Sequence, residues 1–174
     1  MSVAQGVDIE IESENITEYR SLQKGDQIAV EGEMSGIEYY HHGIFLGHRK
    51  GVADFGGNNK RDARPRIVDI LQFTEYGKRR LIRLKYPSGQ CLPPEVVVEN
   101  AKKLVENPDR WGVYDLLNNN CEHFATKCKT GVAVSRQVID SIRKCIMNPL
   151  QAIRYSVASS GSCGSSFSGS LTKS

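Results

Sequence analysis

The chain has 174 residues, of which 39% are hydrophobic and 25% charged, a composition ordinary for one folded domain with an extension. The formal net charge of +3 is too small to argue for nucleic-acid binding, and no apolar run reaches the ~18 residues that span a bilayer. Five cysteines without a CxxC pair indicate reduced thiols. We therefore predict a cytoplasmic protein without a secretion signal, a transmembrane anchor, a cofactor or a metal ion.

The N-terminal part of the chain predicts a mobile arm followed by antiparallel strands. Residues 1–20 are acidic and lack hydrophobic periodicity, so we predict a mobile leader there. Residues 27–31 alternate in polarity and favour a strand, whereas residues 32–38 contain two glycines and favour a loop. Residues 39–46 and 51–57 are aromatic and aliphatic segments separated by a short polar turn, which predicts a hairpin.

The middle of the chain predicts one further strand and one helix. Residues 67–73 are compatible with either a strand or a short helix, and the pattern does not separate the two. Residues 79–86 alternate between polar and apolar side chains, which indicates a strand with one exposed face. Pro94 then opens a segment whose apolar residues recur at helical spacing, and Pro108 ends it.

A second helix is predicted to begin at a cysteine. The asparagines at 118–120 precede Cys121, and asparagine is a favoured helix N-cap because its side chain accepts a backbone N–H bond. Gly131 marks the end of this helix. A thiol in the first turn of a helix loses its proton more readily than a free thiol, so Cys121 is a candidate nucleophile. Cys128 and Cys145 fit the commoner role of a small buried hydrophobic residue.

The C-terminal part predicts a last helix and a flexible tail. Ser135 is the expected cap of a basic, amphipathic helix over residues 136–146, within an extension that covers residues 135–157. Such a helix either packs on the core or lies on an anionic membrane surface. Residues 158–174 are dominated by Ser and Gly, and we predict that they are disordered.

A thiolate nucleophile needs an imidazole within reach, and the predicted hairpin supplies one. His41 and His42 point to opposite faces of the same strand, and periodicity does not choose between them. Asp54 on the partner strand would lie ~5 Å from its neighbour across the hairpin, close enough to orient an imidazole. His123 lies two residues after Cys121, so it faces elsewhere on the helix and is predicted to be structural.

Two segments together resemble the lecithin:retinol acyltransferase family, which includes the H-rev-type phospholipase/acyltransferases. They are HHGIFLG at residues 41–47 and NNCEHF at residues 119–124. The likeness covers residues 21–134, which we take as the catalytic domain. It implies an α+β, circularly permuted papain-like fold, in which an antiparallel sheet packs on a helix that carries the nucleophile at its N-terminus.

The resemblance also implies roles for three residues. It makes Cys121 the nucleophile and His41 the general base and acid, because the family's base stands two residues before the glycine of this strand. The family usually places a second histidine in a Val-x-His pattern. Here Asp54 takes that place, after one extra residue in the turn, and would orient His41.

The function implied is a thiol-dependent acyltransferase or phospholipase. It would act on glycerophospholipid acyl esters through a cysteine acyl-thioester and transfer the acyl group to water or an amine. Many relatives end in a hydrophobic membrane anchor, which residues 149–155 do not resemble, so peripheral membrane contact is expected from the helix at residues 136–146. The alternatives are a related binding or regulatory module without turnover, and a cysteine amidase or peptidase.

Overall fold

One antiparallel sheet organises the fold. A computed structural model describes residues 10–34 and 37–147, which form an α+β arrangement with strand order β1-β6-β2-β3-β4-β5. Every neighbouring pair of strands is antiparallel. The strands are β1 (Glu12–Asn15), β2 (Gln27–Met34), β3 (Ile37–Gly47), β4 (Gly51–Gly56), β5 (Arg64–Val68) and β6 (Leu81–Lys85), and the helices are α1 (Ile70–Phe73), α2 (Pro94–Glu106), α3 (Cys121–Thr130) and α4 (Arg136–Met147).

Both faces of the central strands are covered. Successive side chains of a strand point to opposite faces, so Ile44 of β3 packs on α2 and α3, while Phe45 packs on the other side against Phe73 of α1. Each of the six residues of β4 is buried as a result. The α+β class with an antiparallel sheet is confirmed, and the circularly permuted papain-like arrangement stays a prediction.

The hairpin predictions are confirmed, with one correction. β3 and β4 are joined by the predicted turn, in which the Lys50 N–H donates to the Gly47 carbonyl at 2.9 Å. The loop predicted over residues 32–38 is wrong in part, because β2 continues to Met34 and pairs there with Ile37 of β3. The glycines suggested a break, but cross-strand pairing continues through Gly32, which lies opposite Tyr39.

The prediction of a mobile leader over residues 1–20 is wrong at β1, which forms the edge of the sheet. The acidic segment is matched by basic residues of β6: the Arg83 Nε donates to Glu14 at 2.9 Å, and Lys85 pairs with Glu12 in register and with Glu14 through charge. The acidic residues of this segment therefore pair with basic residues of a neighbouring strand, and the segment is not a solvated arm. Residues 1–9 lie outside the described part of the chain.

The remaining elements agree with the sequence. Residues 67–73, for which the sequence allowed a strand or a short helix, contain both. Strand β5 ends at Val68, and Asp69 caps the single-turn helix α1. Helix α4 follows Ser135 as predicted, whereas the segment 149–155 and the tail 158–174 lie outside the described residues. Within the described ranges, no helix combines the length and the apolar character needed to traverse a bilayer.

Candidate active site

Helix α3 delivers Cys121 to the sheet through its capping residue. The Asn120 side chain is buried, and its Oδ1 accepts hydrogen bonds from the backbone N–H groups of Glu122 and His123 at 2.9 and 3.1 Å. Its Nδ2 donates to the Leu116 carbonyl at 2.8 Å and fixes the preceding loop. The cap therefore satisfies two free N–H groups and sets the position of the first helical residue, the cysteine.

The other two asparagines stabilise the loop before the cap. The Asn118 backbone N–H donates to the Asp115 carboxylate at 2.7 Å, and the Asn119 side chain donates to the carbonyls of Trp111 and Val113 at 3.0 Å. These bonds satisfy loop carbonyls that have no strand or helix partner. The asparagine run is therefore a structural support for the residue that follows it.

Cys121 lies against the middle of β3. Its side chain is only 2% exposed, and its sulfur lies 3.8 Å from the carbonyl oxygen of Tyr40. It nevertheless lines a cavity of about 280 Å³ together with Tyr114, Leu116 and Gln137. The thiol is thus shielded from bulk water but adjoins a space that a substrate can occupy.

His41 and Asp54 form an ion pair on the opposite side of β3 from Ile44. The Nε2 of His41 lies 2.8 Å from Oδ2 of Asp54. Asp54 is 1% exposed and also accepts a hydrogen bond from Nε of Arg66 at 2.9 Å. Burial alone would raise the pKa of Asp54, but the hydrogen bonds and charges of His41 and Arg66 lower it. The carboxylate therefore remains charged.

Gly56 makes room for this pair. A side chain at position 56 would place its Cβ 3.3 Å from Cε1 of His41 and 3.3 Å from Oδ2 of Asp54. Both distances are tighter than ordinary carbon contacts. The absence of a side chain at position 56 therefore leaves space for the imidazole and the carboxylate at the end of β4.

His41 is held as an imidazolium by Cys121 and Asp54. Burial alone would lower the pKa of His41, but its interactions with Cys121 raise it, and Asp54 raises it further, to about 10. Since Nε2 is bonded to Asp54, Nδ1 is the nitrogen left for the sulfur. The structure thus brings together the three residues that the sequence and the resemblance predicted for the site.

His42 lies on the other face and makes a different set of contacts. It is 4% exposed, and its Nδ1 accepts a hydrogen bond from Nε2 of Gln27 at 3.3 Å. The Gln27 oxygen in turn accepts from the Tyr86 hydroxyl at 2.6 Å. Burial lowers the pKa of His42 to about 4, so the ring is neutral near pH 7. Its contacts are those of a structural core histidine.

The buried His42 is expected to make the fold sensitive to mild acid. A histidine with a folded pKa below its unfolded value of 6.5 contributes stability that is present above pH 6.5 and is lost as the pH falls toward 4. Chemical denaturation from pH 7 to 4 should show a loss of up to about 3 kcal/mol from this residue. H42N, which keeps an acceptor for Gln27, should flatten that slope; an unchanged slope contradicts the assignment.

Two residues that the sequence did not indicate, Glu122 of α3 and Gln137 of α4, support the region around the cysteine. Glu122 is buried, and its Oε2 accepts hydrogen bonds from the Ser135 hydroxyl at 2.6 Å and the Gln137 backbone N–H at 3.1 Å. The Gln137 amide then bonds both the N–H and the carbonyl of Tyr40, beyond the point where β4 ends. It takes the place of a strand partner, a contact that no local pattern indicates.

Tyr114 is a third residue of the site that the sequence did not indicate. Its ring packs 5.0 Å from that of Phe55, and it lines the cavity at Cys121. Burial raises the pKa of Tyr114, and the neighbouring Cys121 side chain raises it further, while a bond from the Cys121 backbone N–H acts in the opposite direction. The hydroxyl therefore stays protonated beside both the sulfur and the backbone N–H of the cysteine.

The remaining candidates have structural contacts. Nδ1 of His123 accepts a hydrogen bond from the Asn120 backbone N–H at 3.2 Å, which completes a reciprocal cap and agrees with the structural role predicted for it. Cys128 is buried, as predicted, and burial raises the pKa of its thiol to about 12. Within α3, Cys121 is therefore the cysteine suited to nucleophilic chemistry.

Comparison with known proteins gave one family and two relatives. The family model described as "Lecithin retinol acyltransferase" matches residues 20–134. The chain is 26% identical over 175 aligned positions to Egg-laying defective protein 26 of Caenorhabditis elegans, an alignment that covers 88% of this chain and 54% of that protein. It is 50% identical over 56 positions to Protein LEAD-SENSITIVE 1 of Arabidopsis thaliana, over 29% of this chain and 21% of that protein.

The chain spans about half the length of the first relative, and the second alignment spans about a fifth of that protein. No solved structure matches the chain.

Proposed function

The chain belongs to the lecithin retinol acyltransferase family, and from this membership we propose that it is a thiol-dependent acyltransferase or phospholipase acting on glycerophospholipid esters. Membership supports acyltransferase or phospholipase-type activity in general. The observation that carries the finer proposal is the interaction of Cys121 with an imidazolium that is itself bonded to Asp54. This arrangement supplies a charged nucleophile, a proton donor for the leaving group and a group that orients the donor.

The first step forms an acyl-thioester. The Cys121 thiolate attacks the carbonyl carbon of the lipid ester, and a C–S bond forms as the carbonyl oxygen becomes an oxyanion. His41 donates its proton to the alkoxide of the leaving lysophospholipid as the C–O bond breaks. The imidazole is then neutral, and the acyl chain is covalently attached to sulfur.

The second step returns the enzyme to its starting state. Neutral His41 takes a proton from water or from an amine, which attacks the thioester carbon. The C–S bond breaks, and the thiolate re-forms its ion pair with the imidazolium. Water as the acceptor gives a free fatty acid, and an amine, such as the head group of phosphatidylethanolamine, gives an N-acylated product.

The oxyanion needs donors near the sulfur, and only some of the N–H groups of the first turn are available. Those of Glu122 and His123 already donate to the Asn120 side chain. The Tyr114 hydroxyl lines the cavity at Cys121 and is the donor that we assign to the oxyanion.

Y114F is therefore expected to lower the acylation rate by about 10²-fold, the usual effect of losing one oxyanion donor. The ring contact with Phe55 is retained, so stability should change little. Single-turnover acylation and thermal denaturation check both expectations. A rate within twofold of the wild type would remove Tyr114 from the oxyanion site.

The proposed function is tested by trapping the intermediate. The protein is incubated briefly with phosphatidylcholine carrying a labelled acyl chain, and peptides are analysed by mass spectrometry. An acyl adduct on Cys121 that is absent in C121A and retained in C128A supports the proposal. A wild-type protein that forms no adduct, or an adduct on Cys128 alone, contradicts it.

We also propose that α4 contacts an anionic membrane. Ile139 and Ile142 are 40% and 49% exposed on one side of this helix, and Arg136 and Arg143 flank them in sequence. Apolar residues beside basic ones suit a bilayer surface with negatively charged head groups.

I139S/I142S should bind phosphatidylserine vesicles about tenfold more weakly than the wild type, whereas I67S, at an exposed site on β5, should bind as the wild type does. Equal binding by all three proteins rules the contact out.

A further inference from the structure

A second, larger cavity adjoins His41. It measures about 800 Å³ and lies on the side of His41 that faces β5 and the segment after α1. We call it the basic groove, after the four lysine and arginine side chains that line it together with His41: Lys60, Arg66, Lys78 and Arg79. Two carboxylates also line it, Asp54 and Glu75.

Both carboxylates of the groove are already paired. Asp54 is bonded to His41 and Arg66, and Glu75 forms a salt bridge with Arg79. Among residues 10–34 and 37–147, the Lys78 ammonium forms no salt bridge. The groove therefore carries an excess of positive charge, and a concave surface of one sign concentrates the potential that attracts a counter-charge.

The chemistry of the donors suits a phosphate. Arg66 and Arg79 remain 37% and 29% exposed, so their guanidinium groups keep N–H donors for a ligand after pairing with the carboxylates. Guanidinium groups bind phosphate oxygens through two parallel N–H bonds, and an ammonium adds a point charge. A phosphate ester is thus the ligand whose charge and acceptor atoms match this lining.

The rim of the groove has a fixed and unusual backbone. Glu75 and Tyr76 have φ angles of 49° and 57°, in the left-handed region, and Gly77 follows at 79°. Such angles are costly for residues with side chains and persist only where the surroundings enforce them. Here the Arg79 N–H donates to the Thr74 carbonyl at 3.1 Å and closes the turn. The turn brings Lys78 and Arg79 to the cavity.

The groove and the cavity at Cys121 meet at the catalytic pair. His41 lines the groove, Cys121 lines the smaller cavity, and Tyr39 and Tyr114 line both. The smaller cavity has an apolar side formed by Leu116, Leu117 and Val138. An ester carbonyl at the sulfur therefore has an apolar space on one side and a cationic space on the other.

We propose that the basic groove binds the phosphate group of a phosphate ester. Binding there would orient the substrate, with its phosphate on one side of the sulfur and its acyl chain on the other. Only the identification of this ester as the head group of the lipid substrate rests on the proposed function. A soluble phosphate ester shares the same chemistry. The assignment makes Lys78 and Arg79 specificity residues that act on the phosphate and not on the scissile bond.

Binding is tested in C121S protein, in which the proposed chemistry cannot proceed. Calorimetry measures the affinity for glycerophosphocholine, for inorganic phosphate and for phosphatidylcholine in neutral detergent micelles. K78A/R79A is expected to lose about tenfold or more in affinity for the phosphate-bearing ligands. R49A/K50A, the same residue types in the exposed turn between β3 and β4, is the matched control and should bind normally.

The probes separate the two sources of phosphate. Tighter binding of glycerophosphocholine and the lipid than of inorganic phosphate supports the groove as a head-group site. Equal binding of all three, weakened in K78A/R79A, supports a site for soluble phosphate esters. Wild-type affinity in K78A/R79A, or no binding of any probe by C121S, overturns the proposal.

A kinetic comparison distinguishes this proposal from the proposed function. For K78A/R79A, KM for phosphatidylcholine should rise about tenfold more than KM for diacylglycerol, an ester without phosphate. Equal changes in both values overturn the groove while leaving the acyltransferase intact. If the wild type processes neither ester, the proposed function fails, and the binding measurements in C121S still decide the groove.

Discussion

C121S is expected to lower the rate of acyl transfer from phosphatidylcholine by about 10³-fold or more. The hydroxyl of serine stays protonated at neutral pH, so the proposed ion pair with His41 and the proposed charged nucleophile would both be lost. Cys121 is buried against β3, and serine is similar in size, so the fold should be retained. Initial rates on labelled phospholipid, measured beside thermal denaturation, provide the comparison.

C128S is the matched control for this substitution. Cys128 lies on the same helix and is equally buried, but burial raises the pKa of its thiol and the structure places it in the core. We expect C128S to retain activity within a few-fold of the wild type. Full activity in C121S, or parallel losses in both variants, would remove Cys121 from the mechanism.

D54N is expected to slow acyl transfer by about 10²- to 10⁴-fold. Asparagine keeps the size and one acceptor oxygen of the carboxylate, but it removes the charge that raises the pKa of His41. The imidazolium is then lost at lower pH, so the alkaline limb of the rate profile should move to lower pH. Rates of the wild type and D54N between pH 5 and 10.5 measure this shift.

The stability change in D54N needs its own control. A histidine with a pKa raised above its unfolded value contributes stability that is complete below about pH 6.5 and is lost as the pH rises toward 10. Denaturation curves at each pH therefore separate unfolding from loss of catalysis. D109N, at an exposed position after α2, should change neither property. A D54N profile with the wild-type alkaline limb contradicts an orienting role for Asp54.

The sequence predicted those parts of the site that depend on residues close to one another in the chain. The asparagine cap, the start of α3 and the glycine that ends it follow from short-range backbone bonding, and each is observed. The β3–β4 turn follows in the same way. These features involve residues within a few positions of one another, where the choice of side chain decides the backbone geometry.

Contacts between distant segments could not be predicted in this way. β1 exists because Glu14 meets Arg83 of β6, 69 positions away, and an acidic segment alone looks like a solvated arm. Gln137 completes the hydrogen bonding of Tyr40 across 97 positions. In both cases the stabilising partner is set by the topology of the sheet, which local polarity and periodicity do not encode.

The two adjacent histidines show the same limit. Alternation along β3 placed them on opposite faces but did not say which face carried the site. The resemblance favoured His41, and the structure brings His41 to Asp54 and Cys121 while His42 bonds Gln27 in the core. The contact that distinguishes His41 from His42 is the one with Cys121. It joins β3 to helix α3, which begins eighty positions after His41.

The protonation state of His41 tests most directly the proposal that a thiolate and an imidazolium act together. Nitrogen chemical shifts of ¹⁵N-labelled imidazole distinguish the doubly protonated ring from the neutral one across a pH titration. We expect the wild-type ring to stay protonated beyond pH 8 and C121A to lower the pKa of His41. A ring that titrates near pH 6.5 and is unaffected by C121A would contradict the account.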